Sequence, residues 1–282
     1  MSAALALAAL VVTASVDPAL AGARVHLLVE SERERAAAAV GEARASLHAA
    51  GAQVSVDTVA EAAHGWGAPD DVWLALGKGA ARALATAPPR LRAAVLVRAG
   101  EASGLPAVVV DVPVDLQLGW LAAAFPGRTR VLVPRRPGGS DDATLVSAAR
   151  ARGLSLELVD VRHPGETVPA LQAALRRPGA PAVIFLVPDT TALTPDTLAP
   201  LAQSALEART PLVGFSSYFL RIGALAASVA DVGPSARQAV ALARAGAAVE
   251  EVPRSARLQV DGRLAERLGV PVREGPGVEV RR

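Results

Sequence analysis

Ala182-Val183-Ile184-Phe185-Leu186-Val187-Pro188-Asp189-Thr190-Thr191 opens with the most apolar strand-like run of the chain and ends in a proline, an acid and two hydroxyls, before Thr194-Pro195 begins a helix. A run that is apolar at successive positions suits a strand covered on both faces, the environment inside a parallel sheet. We therefore expect 182–187 to be central in its sheet. Outward from it, β-branched runs alternate with Ala- and Leu-rich helical stretches, the pattern of βαβ units. A helix over 195–208 leads to a strand at 211–215, and upstream 131–133, 141–152, 155–161 and 168–177 read strand, helix, strand, helix.

An earlier set has the same rhythm. A strand at 24–30 is followed by Ser31 at an N-cap position and a helix to Ala50 that Gly51 closes. Strands follow at 53–58 and 72–76, then a helix from Gly77-Lys78-Gly79 that Pro88-Pro89 stops. Strands at 93–97 and 107–110 and a helix at 114–125 complete the set. Two sets imply two lobes, with a passage near 125–129. The strand 224–229, helix 234–245 and strand 256–260 are too little for a third domain and should complete the two sheets. A short helix at 264–268 and a frayed tail from Glu274 are expected to end the chain. The expected division is 22–126 with 224–253, and 127–223 with 254–282.

The 282 residues are 51% hydrophobic and 20% charged, which excludes collagen, coiled coil and wholesale disorder. Aromatics are 3%, so Ala, Val and Leu must fill the core. The formal charge is +2 although the sequence pI is about 9.8. Lys78 is the only lysine, so 28 of the 29 basic residues are arginines that do not titrate near neutrality. They are scattered, with no basic run and no interleaved aromatics, so no nucleic-acid partner is expected. Without cysteine there are no disulfides, thiolate metal sites, Cys nucleophiles or lipid anchor.

Residues 3–12 are uninterruptedly apolar, and Ala19-Leu20-Ala21 precedes Gly22, the order of a secretory h-region and an A-x-A cleavage site. The alternative is a first buried strand or helix, which the absence of Lys or Arg before the run favours. Residues 1–21 are read as a signal peptide, cleaved near Ala21, with a periplasmic destination.

Gly77-Lys78-Gly79-Ala80-Ala81-Arg82 lies where a dinucleotide fingerprint would, but Arg82 replaces its third glycine. Gly214-Phe215-Ser216-Ser217-Tyr218 has only part of a nucleophile elbow, and no histidine follows Ser216. His26, His48, His64 and His163 lie far apart without partners at ligand spacing, so no metal or other cofactor is expected. Asp189 and Thr190, at the end of an apolar strand, point to a crevice. Asp189 could equally cap backbone N–H groups together with Thr194.

The segment 187–191, then Pro211 to Ser216, Ile222-Gly223-Ala224-Leu225-Ala226, Gly233 with its helix, Leu258-Gln259-Val260, Ala265 and Leu268-Gly269-Val270-Pro271, resembles the C-terminal half of the ABC-transporter substrate-binding family typified by tryptophan- and tyrosine-type binding proteins. Ala107 to Pro113, Gln117-Leu118 and Arg130 to Val133 are similar to its mid-section. Gly77-Lys78-Gly79-Ala80 stands where that family has a Gly-Thr-rich turn, and Arg98 and Glu101 replace its usual polar residues. The resemblance implies an α/β fold of the type I periplasmic-binding-protein kind: two doubly wound parallel-sheet lobes joined by three crossings, near Pro126, Gly223 and Pro253. It implies a monomeric periplasmic receptor, not an enzyme, that passes a small ligand to an ABC permease in the inner membrane. Ser31, Lys78 and Gly79 should face Asp189, Thr190, Ser216 and Tyr218 across one cleft. Helix N-termini would favour a ligand carboxylate and Asp189 an ammonium, which together suit an amino acid or related zwitterion. The competing readings are a nucleotide-dependent transferase and a stand-alone ligand sensor on the same scaffold.

Overall fold

The computed structural model describes residues 20–139, 141–246 and 248–282. The apolar run 3–12 and Ala19 of the expected cleavage site lie outside them. The chain forms two compact units, one of described residues 20–109 with Val232–Glu251, the other of Val110–Asp231 with Val252–Arg282. It passes between them three times, as the fold class requires. The passages follow Val109, Asp231 and Glu251; the third lies near Pro253 as expected, whereas the first two fall away from Pro126 and Gly223.

With the strands of the described residues numbered in chain order, the first unit holds β1 (Arg24–Val29), β2 (Gln53–Thr58), β3 (Val72–Leu76), β4 (Leu91–Val97), β5 (Ala107–Val109) and β11 (Glu250–Glu251). They form a wholly parallel sheet in the order β2-β1-β3-β4-β5-β11. Side chains alternate across a strand. Val25, Leu27 and Val29 pack with the helices Ala38–Ala49 and Val232–Ala245 on one face. Leu28, Trp73 and Ala75 pack with the helix Lys78–Ala85 on the other. The single helix expected over 31–50 is broken into Glu32–Arg35 and Ala38–Ala49 by extended backbone at Ala37.

The second unit holds β6 (Arg130–Arg135), β7 (Ser155–Asp160), β8 (Ala182–Phe185), β9 (Leu212–Gly214), β10 (Ala226–Ala230), β12 (Ala256–Asp261) and β13 (Val278–Arg281), in the order β7-β6-β8-β9-β10-β12-β13. Only the β10–β12 pairing is antiparallel. β8 is interior, between β6 and β9. Val183 and Phe185 face the helices Val114–Ala124 and Asp142–Ala151, whereas Ile184 and Leu186 face Thr167–Leu175 and Pro195–Glu207.

This packing moves the expected boundaries. The helix Val114–Ala124 buries Leu118, Leu121 and Ala124 with Val131 and Phe185, which assigns it to the second unit. β10 pairs with β9 and β12, so of the segment 224–246 only the helix Val232–Ala245 joins the first unit. The tail is not frayed: β13 pairs in parallel with β12, Leu258 beside Val278 and Val260 beside Val280.

Leu20 is only 2% exposed and belongs to the first unit's core with Val25, Leu47, Ala50 and Ala52. Its carbonyl accepts the N–H of Ala23 at 3.1 Å. A chain starting at Gly22 should therefore unfold more readily in urea than one starting at Leu20, by about 1.5–3 kcal/mol for one buried leucine. Equal stability of the two would remove Leu20 from the core.

Candidate functional site

In each unit the strand order reverses once, between β1 and β3 and between β6 and β8. The chain leaves those neighbouring strands toward opposite faces, so a crevice opens beyond their carboxyl ends, the usual ligand position in an open α/β sheet.

In the first unit Gly77, at φ +89°, turns β3 into the helix Lys78–Ala85, a conformation that a β-carbon makes costly. Lys78 pairs with Glu101 at 3.0 Å. The hydrogen bond from Lys78 holds the Glu101 carboxyl below its ordinary value against the opposing effect of burial. A β-carbon on Gly79 would overlap the Glu30 carboxylate, so Glu30 lies against the first turn of that helix. Exposed Ser31 follows β1 and makes no side-chain capping bond. Ser31, Lys78 and Gly79 thus lie at one sheet edge, with the Glu30 carboxylate among them.

In the second unit the Asp189 carboxylate accepts three backbone N–H groups, from Arg136 (2.8 Å), Thr191 (2.7 Å) and Ala192 (3.1 Å). Burial opposes its ionisation, but these bonds and the charge of Arg135 outweigh burial and hold its pKa below the ordinary aspartate value. Both oxygens are engaged, so the geometry favours the capping role over direct pairing with an ammonium. Thr190 beside it is exposed, and Ser216 follows β9 half-buried. Tyr218 is 44% exposed, its ring edge-on to Phe219 at 6.1 Å and 5.3 Å from the Arg221 guanidinium. These four residues share the carboxyl edge of the second sheet.

The same edge encloses a cavity of about 380 Å³ between β6 and β8, walled by Val114, Leu145, Phe185 and Pro188 and reached by Gln117 and Arg135. Gln117 donates from Nε2 to the Val112 carbonyl at 2.7 Å, and its Oε1 is buried without a partner. Arg135 pairs with Asp142 at 2.6 Å, and its buried Nε has no acceptor. Sequence reasoning missed both residues. The proximity of Gln117 to the crevice follows from the helix lying in the second unit.

It also missed a polar centre in the first unit. His26 lies beside Ser55 and Trp73 in register and stacks on the Trp73 ring at 4.3 Å. Its Nδ1 is 2.8 Å from Ser55 Oγ and 3.2 Å from Asp57, and its Nε2 is 3.3 Å from Asp71. Arg24 Nε and the Ala68 N–H both donate to Asp71 at 2.7 Å. The partners stand 31 and 45 residues away in sequence, so no local spacing announces them. Among the described residues no group of three or more His, Asp or Glu is placed to hold a metal ion. None of their helices is long and apolar enough to cross a membrane.

No family model and no curated protein matches the chain. Among solved structures it is similar to a ligand-free, open substrate-binding protein with adhesive properties from Clostridium difficile, at TM-score 0.63 and 15% identity over 92% of this chain and 99% of that one. It is similar to an ABC domain from Streptococcus pneumoniae in complex with L-Trp, at TM-score 0.50 and 15% identity over 92% and 100%. A conserved domain protein from Vibrio cholerae matches at TM-score 0.50 and 20% identity over 89% and 96%. The chain has the two-lobe periplasmic-binding-protein fold.

Asp189→Ala should lower stability at pH 7 by about 1–3 kcal/mol, because it leaves three N–H groups without their acceptor. A lowered folded-state pKa gives stability that is complete above the ordinary aspartate value and is lost as pH falls through the lowered one. Urea unfolding at several pH values should show the gap between wild type and variant constant near neutrality and closing in acid below about pH 4.

Proposed function

We propose that this chain is the ligand-capturing component of an ABC-type uptake system, exported to the periplasm as a monomer, which presents a small polar ligand to a permease in the inner membrane. The observation that carries the reading is the pair of strand-order reversals, each with polar side chains gathered at its carboxyl edge, the second opening into a cavity large enough for a small molecule. The likeness to substrate-binding proteins supports it.

In this proposal Ser31, Lys78 and Gly79 contribute from the first unit, and Thr190, Ser216 and Tyr218 from the second. Asp189 holds the loop that carries Thr190. Glu30 at the first edge suits a ligand ammonium, as in an amino acid or related zwitterion. Tyr218 offers an exposed ring face to a planar group. No cofactor is needed for capture, and the chain is not an enzyme in this reading.

A thermal-shift screen of amino acids, nucleosides and organic acids tests it. At a hundred times Kd, a true ligand should raise the melting temperature by about 5–10 °C. Calorimetry should give one site, and the ligand should be recovered unchanged. Conversion of the bound compound, or turnover that depends on a nucleotide, would replace the receptor with a transferase.

A further inference from the structure

We infer that the second unit carries an anion site apart from the candidate crevice, in which the cavity of about 340 Å³ walled by Leu220, Val260, Asp261, Arg263, Arg281 and Arg282 takes a phosphate group held by the three guanidiniums. The site does not depend on the reading of the chain as a receptor.

Its place follows from strand direction. β12 runs antiparallel to β10 with Val260 beside Ala226, so β12 ends where β10 begins, and β13 runs alongside β12. The cavity therefore lies at the opposite edge of the sheet from Asp189, Thr190 and Ser216. Gly262 lets the chain close up there. It opens the helix Gly262–Leu268, and a β-carbon on it would stand 3.0 Å from the Arg281 carbonyl and 3.3 Å from Arg282 Cγ. The missing side chain seats the Arg282 stem against the turn that carries Arg263. Arg281 lies beside Asp261 in the register of β12 and β13.

The wall carries three positive charges and one negative. Asp261 is engaged as a helix cap, its Oδ1 accepting the Leu264 N–H at 2.9 Å. Among the described residues no acid pairs with Arg263. Arg281 gives only its Nε, to a Glu279 that Arg257 shares, both at 3.1 Å. Arg282 reaches Glu274 only at 3.8 Å. Guanidiniums gathered with their terminal amines unfilled repel one another, and an anion between them turns the repulsion into charge-assisted hydrogen bonds. A phosphate suits three such groups better than a carboxylate, because its tetrahedral oxygens accept from more directions and it carries up to two charges. Leu220 and Val260 offer apolar surface to the carbon side of an ester, and the volume is that of a small-molecule site rather than of one bare ion.

Pyrophosphate, methyl phosphate and acetate, titrated calorimetrically into the full chain, test the site. Both phosphates should bind at one site, tighter than acetate by about tenfold or more. Arg263→Gln combined with Arg281→Gln should weaken both phosphates by a similar factor, and Arg263→Gln alone, which breaks no ion pair, should show part of that loss. Arg33→Gln combined with Arg44→Gln removes the same charge from exposed positions of the first unit and should leave both affinities within about twofold. Acetate binding as tightly as methyl phosphate, or equal losses in the two double variants, would overturn the assignment. Sedimentation with vesicles of phosphatidylglycerol or of phosphatidylcholine separates the sources of the phosphate. Capture by phosphatidylglycerol alone, lost in the Arg263 and Arg281 double variant and displaced by pyrophosphate, makes it a lipid head group. Binding of the soluble phosphates without capture by either vesicle makes it a free phosphate ester.

Discussion

Asp189 joins two strand ends that the topology pulls apart. At the reversal between β6 and β8 the chain leaves toward opposite faces, and the ladder between the strands stops at Leu132 and Ile184, short of their carboxyl ends. The carboxylate of Asp189 bridges that gap by accepting the Arg136 N–H from the β6 side and the Thr191 and Ala192 N–H groups from its own loop. The loop's shape, the exposure of Thr190 and the mouth of the neighbouring cavity depend on this contact. Ionisation is part of the structure, because a protonated acid would have one fewer oxygen able only to accept.

The rest of the scaffold is built from small side chains. Ala236, Ala239 and Ala243 on the helix Val232–Ala245 bring it close to the first sheet and to the helix Ala38–Ala49. Gly233 lies so near Ser46 that a β-carbon would crowd it. Some of the few large aromatics use the same closeness, lying directly over glycines. Phe219 covers Gly214 at the end of β9, where any β-carbon would overlap its ring. Close packing without bulk makes each contact small and the number of contacts decisive.

The strands and most helices were legible because apolar periodicity is a local signal, and the run at 182–187 is interior as its composition implied. What was illegible is pairing. Nothing in Ala226–Ala230 says that it lies beside Leu212–Gly214 and antiparallel to Ala256–Asp261, and nothing in Val278–Arg281 says that a charged tail closes a sheet edge. The boundaries were misplaced for that reason. At the site the same division holds. Asp189 was visible as an acid at a strand end, but its choice between ligand and backbone is set by an N–H 53 residues away. Gln117 is ordinary as a helical residue and becomes notable only when each of its polar atoms is counted against a partner.

The place of Lys78 has a practical consequence. It is the only lysine, its side chain is 57% exposed, and it stands at the carboxyl edge of the first sheet in a bond with Glu101. Apart from the α-amino group, every primary amine of the protein is therefore at the candidate site. An amine-directed fluorophore would label that edge and the α-amino group, and its emission at Lys78 would report events there without any engineered attachment point.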